Sequence, residues 1–136
     1  MREIKISELS IGDWVKCNGF KATIAGYSAE SGSIHLLTKQ KNKMWFGVES
    51  IEPILLTPEI LEKNGFIDYA VGKGWYVLNV AGDLRVWLHR NSHDWTFQVM
   101  SWGLGHNHSV AKAYIKDIHE LQRALRLAKV EKEIVL

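Results

Sequence analysis

"LTPEILEKNGF", Leu56–Phe66, has both ends of a helix written into it, and its place in the chain decides the fold. Thr57 offers a side-chain oxygen to an N–H of the first turn, and Pro58 suits the first helical position. Glu59 sits near the positive end of the helix dipole. Gly65 ends the helix in the left-handed conformation, with Phe66 folding back onto the last turn. Ile60 and Leu61 are the core-facing positions. So short a helix joins larger segments rather than forming a layer, and both of its neighbours read as strands.

Upstream, "LSIGDWVKCNGFKATIAGY" (Leu9–Tyr27) places Asn18-Gly19 between two strand-like runs. Both residues tolerate positive φ, so the pair predicts a tight hairpin. "SAESGS" (Ser28–Ser33) punctuates the next turn, "IHLLTK" follows as a strand, and the basic connection "KQKNK" (Lys39–Lys43) leads to "MWFGVESIEPI". About four or five short strands with this spacing predict a small twisted sheet or an SH3-like barrel.

Downstream, "GWYVLNV", "LRVWLHR" and "WTFQVMSW" are separated by the turn-forming "AGD" and "NSHD". In "LRVWLHR", Leu84, Val86 and Leu88 alternate with Arg85, Trp87 and His89. That is a period of two, with one apolar and one mixed face. A glycine-rich connection, "GLGHNHS", precedes a final strand, "VAKAYI".

"DIHELQRALRL" (Asp117–Leu127) closes the pattern and comes within one residue of the H-E-x-x-H signature of zinc peptidases. The second ligand position holds Arg123, whose guanidinium has no lone pair for a metal. The same letters read as helix-start chemistry: Asp117 as N-cap and Glu120 three residues on, as in a capping box. Ile118, Leu121, Leu125 and Ala128 form an apolar stripe at helical spacing. The expected fold is therefore α+β: an N-terminal SH3-like β-barrel lobe (1–56), a short connecting helix, and a C-terminal antiparallel sheet packed by the terminal helix (57–136). The two parts are expected to share one core.

The 136 residues are 46% hydrophobic and 24% charged, ordinary values for a globular protein. A net charge of +2 does not by itself imply nucleic acid. A single cysteine, Cys17, excludes an internal disulfide and fits a reducing compartment. The N-terminus does not read as a signal peptide, and no apolar run nears the roughly 20 residues of a membrane span. A cytoplasmic location and no membrane partner are expected. The six tryptophans are an excess, read first as core packing and cross-strand pairs.

Two groups of side chains are site candidates. Lys16, Lys21, Lys39, Lys41 and Lys43 could form a basic rim on the N-terminal lobe, with Trp45 as a stacking platform for nucleic acid. "IGDWVKCNG" resembles the opening strand and turn of SH3-like and KOW-type barrels. His89, His93, His106 and His108 could converge on a metal from neighbouring loops, although their spacing matches no zinc pattern. No catalytic residue and no cofactor are indicated, and no nucleophile motif is present.

Taken in order, "ELSIGDWV", "IEPILLTPEILEKNGF" and "IKDIHELQRALRL" resemble stretches of a group of small proteins carried by phages and integrated elements of gut bacteria. Members of that group also carry histidine at the position of Arg123. The resemblance implies a setting rather than a mechanism: an accessory protein of a mobile element, non-enzymatic and acting through protein contacts. Nucleic-acid binding by the N-terminal lobe is the first alternative, and a metal-dependent hydrolase the second.

Overall fold

The computed structural model describes residues 4–40, 42–103 and 106–136, with all side chains in those spans except those of residues 102, 106–108 and 110. The α+β architecture expected from the sequence is observed. A five-stranded antiparallel half-barrel is followed by a short helix, a second five-stranded antiparallel sheet and a terminal helix. The chain divides into two compact units. One runs to Leu55 and includes Asp117–Arg123; the other comprises Leu56–Lys116 and Ala124–Leu136.

In the first unit, β1 (Trp14–Cys17), β2 (Phe20–Ser28), β3 (Ser33–Thr38), β4 (Lys43–Gly47) and β5 (Ile51–Glu52) are ordered β4-β3-β2-β1-β5. Asn18 and Gly19 take φ of 49° and 84°, so Cys17 pairs directly with Phe20 across a two-residue turn. Strand alternation then puts Val15, Cys17, Ala22, Ile24, Ile34, Leu36 and Ile51 into one core. A bulge between Ile24 and Gly26 bends β2, the curvature that a half-barrel needs.

Asp117–Arg123 belongs to this unit through polar contacts. The Gln122 amide accepts from the Trp14 N–H at 2.8 Å and donates to the Gly12 carbonyl at 3.0 Å. His119, fully buried, places Nε2 3.3 Å from Glu8 Oε2. The other oxygen of Glu8 accepts from the Lys5 N–H, 3.4 Å away.

The second unit opens on α1 (Pro58–Lys63). Thr57 accepts from the Ile60 N–H as its N-cap, and Gly65 takes φ of 86° after its end. Leu61 and Phe66 are buried, and the Phe66 N–H donates back to Leu61. Strands β6 (Ile67–Asp68), β7 (Trp75–Ala81), β8 (Leu84–Arg90), β9 (Trp95–Gly103) and β10 (His106–Ile115) follow in the order β10-β9-β8-β7-β6. The final strand is longer than its sequence suggests. Part of the expected glycine-rich connection is strand, because β9 runs on to Gly103 and gives His106 a backbone partner.

The terminal helix α2 (Ile118–Leu127) starts as expected, with Glu120 accepting from the Asp117 N–H at 3.1 Å. It ends with Lys129 at φ 62°, a position glycine usually fills, and the Val130 N–H returns to Leu125. The tail is held by Asn64, whose amide donates to the Val135 carbonyl at 2.8 Å and accepts from its N–H at 2.7 Å. Among the described residues no helix is long and apolar enough to cross a membrane.

Candidate functional site

The sheet of the second unit has two unlike faces. Tyr76, Val86, Leu88, Phe97 and Val99 are buried on one of them. Their strand neighbours Trp75, Trp87, His89, Gln98 and Met100 therefore stand on the other, in a register that pairs Trp75 with His89 and Trp87 with Gln98. Trp75 stacks on His89 with ring centroids 4.1 Å apart, so the histidine braces the indole from one side. Trp87 makes T-shaped contacts with both Trp75 and Tyr69, with ring centroids 6.0 Å and 5.0 Å apart.

Tyr69 reaches this face because its N–H donates to the Trp75 carbonyl at 2.9 Å, one residue beyond β6. The loop that follows is tied down. Lys73 closes a turn onto Ala70, the Gly72 N–H donates to Asp68, and Gly72 and Gly74 both take φ of 80°. A Cβ on Gly74 would stand 3.3 Å from that of Arg90. Glycine is needed there for both conformation and clearance.

Together these residues enclose an open groove of about 680 Å³. Its walls are the three rings with Met100 and Ala70, and its polar groups are Lys73 and Gln98. Tyr69 is 64% exposed and Trp75 36%, so ring surface stays available to a ligand. A concave, largely aromatic site with a few placed polar groups is the usual form of a binding pocket.

No family model, no curated protein and no solved structure matches this chain.

Apart from His89, the residues proposed from sequence fall elsewhere. Lys16 and Lys21 face each other across the first hairpin, and Lys16 also pairs with Glu52. Lys21 and Lys39 line a smaller groove of about 470 Å³ together with Phe20 and Gln40. Lys43 begins β4, and Trp45 is 55% exposed while stacked on His35 at 4.5 Å. Lys41 lies outside the described residues. Of the histidines, His89 stands under Trp75, and His93 is exposed in the β8–β9 turn. The side chains of His106 and His108 lie outside those described. Among the described residues no three His, Cys, Asp or Glu side chains gather closely enough to hold a metal.

Of the two roles expected of the tryptophans, cross-strand pairing is observed for Trp45 with His35 and for Trp75 with His89. Core packing is not the rule: of the tryptophans whose side chains are described, only Trp95 is buried, at 4% exposure. The signal for the groove was present in "LRVWLHR", where alternation sets Trp87 beside Arg85 and His89 on the mixed face. Nothing in the sequence placed Tyr69 against it, because that contact depends on the loop between β6 and β7.

Burial pushes the Cys17 thiol above its usual pKa, with the nearby Glu52 carboxylate adding to the shift. A fully buried, protonated thiol is a poor nucleophile, and Cys17 acts as core.

Proposed function

We propose that this chain is a non-enzymatic interaction module whose ligand lies in the aromatic groove of the C-terminal sheet. The observation that carries the proposal is the set of three rings, Tyr69, Trp75 and Trp87, held around one open concavity. Among the described residues that line it there is no carboxylate, histidine or thiol, and its ionisable groups are Lys73 and Tyr69 alone. The setting implied by the resemblance is a phage or integrated element acting in the bacterial cytoplasm. Aromatic-lined grooves take extended protein segments or unpaired bases.

The second reading is nucleic-acid binding by the first unit, favoured by the shared groove of Lys21 and Lys39. Selection from a random peptide library and a random oligonucleotide pool tests both. The full chain is compared with the Tyr69→Ala/Trp75→Ala variant and with Lys21→Gln/Lys39→Gln. Enrichment lost with the ring variant alone is the expected result. Equal enrichment on the wild-type and ring-variant proteins would contradict the proposal, and loss with the lysine variant alone would support the second reading.

A further inference from the structure

We infer that the groove-bearing face of the C-terminal sheet binds single-stranded nucleic acid, with bases stacked on Tyr69, Trp75 and Trp87 and phosphates met by Lys73, Arg85 and Lys112. The inference rests on the reading of this groove as the ligand site and names the ligand class.

Charge is the independent observation. Register puts Arg85 opposite Met100 and Lys112 opposite Gln98, so two cations flank residues that line the groove, while Lys73 lines it directly. Along the strands, the described side chains of this face run Ile67, Trp75, Val77 and Asn79, then Arg85, Trp87 and His89. Thr96, Gln98, Met100, Ser109, Lys112 and Tyr114 complete it, and no Asp or Glu stands among them. A chain with only two more basic than acidic residues has thus put cations, and at the described strand positions no carboxylates, on the face that carries its aromatic groove. The field there favours an anion, and the rings favour a flat π-face.

The candidate ligands differ in how much of this they use. A proline-rich peptide would occupy the rings but leave the cations without a role. An acidic peptide would do the reverse. Duplex nucleic acid meets the cations, but its bases are stacked inside and cannot reach the rings. An unpaired strand uses both features. Sheets with exposed aromatics stack about two or three bases in this manner, and Gln98 supplies an amide at the groove for a base edge.

The test is fluorescence anisotropy of labelled oligo-dT and oligo-U of about 12 nucleotides, within the usual site sizes, titrated with the full chain across a salt series. A duplex of the same length serves as control. Both single strands are expected to bind more tightly than the duplex. Neutralising three phosphates gives a log–log salt slope of about −2. Tyr69→Ala and Trp75→Ala should each weaken binding by about ten-fold or more, and Trp75→Phe should recover part of the loss. Arg85→Gln and Lys112→Gln should each flatten the slope by about 0.7. Absence of single-strand binding, binding indifferent to the ring variants, or binding lost only with Lys21→Gln/Lys39→Gln would overturn the inference. If selected peptides bind in a ring-dependent way while oligonucleotides do not, the nucleic-acid inference fails and the interaction module stands. If nothing depends on the rings, both fail.

Discussion

Asn18 and Gly19 show how much a dipeptide can specify. Both sit at positive φ, and nothing lies within 4 Å of where a Cβ on Gly19 would be. Gly19→Ala therefore tests conformation alone. It should cost about 1 kcal/mol, read as a lower urea midpoint with unchanged m-value. An unchanged midpoint would show that the turn does not require glycine. Cys17, beside the turn, makes a pH prediction together with Tyr76. Burial raises both pKa values, with Glu52 adding at Cys17 and Asp68 at Tyr76. The folded state keeps both protons while the unfolded chain releases them at ordinary values, about 8.5 for thiol and 10 for phenol. Their contribution is complete below about pH 8.5 and is lost as pH rises. The urea midpoint should fall between about pH 7 and 9.5, and less steeply in Cys17→Ala. A flat profile would contradict this account. These residues were legible in the sequence, as a hairpin signal and a lone thiol. Lys129 was not, because nothing marks a lysine as the residue that takes the left-handed position at a helix end.

At the scale of elements, the two helices differ in how openly they are written. α1 carries its own start and stop, so Thr57→Ala should cost about 1 kcal/mol in chemical unfolding, whereas no loss would mean the cap is idle. The start of α2 was equally plain, since Asp117 and Glu120 supply the capping-box spacing and the Glu120 bond is made. What α2 does after its start was less plain. The Gln122 amide holds the Trp14 N–H and the Gly12 carbonyl, 108 and 110 positions away in sequence, which no local pattern marks. Gln122→Ala should lower stability by about 1–2 kcal/mol, while Gln122→Glu, which can still accept but cannot donate, should lose less. Equal losses would mean that only the bond donated to the Gly12 carbonyl matters. Strand faces followed alternation closely, as Val86 and Leu88 are fully buried and Arg85 is exposed. The length of β10 escaped because "GLGHNHS" has the composition of a loop, and only pairing with β9 makes part of it a strand.

For the whole molecule, the mild net charge concealed an uneven distribution. Total charge excluded little, but register shows a sheet face that gathers rings and cations without carboxylates among its described strand positions. Sequence reading placed nucleic-acid contacts on the lysine-rich N-terminal lobe, where lysines are dense in sequence. There Lys16 stands opposite Glu52, and the exposed ring of Trp45 stacks on His35. The C-terminal face draws its groups from several strands and a loop, so no contiguous stretch advertises it. The most direct test of the account is a chemical-shift map of the isotope-labelled full chain titrated with a short oligo-U. The indole N–H signals of Trp75 and Trp87 and the amides of Tyr69, Gln98 and Lys112 are expected to move, with those of Trp14 and Trp95 unchanged. Shifts confined to the Gly19–Met44 groove, or none at all, would contradict it.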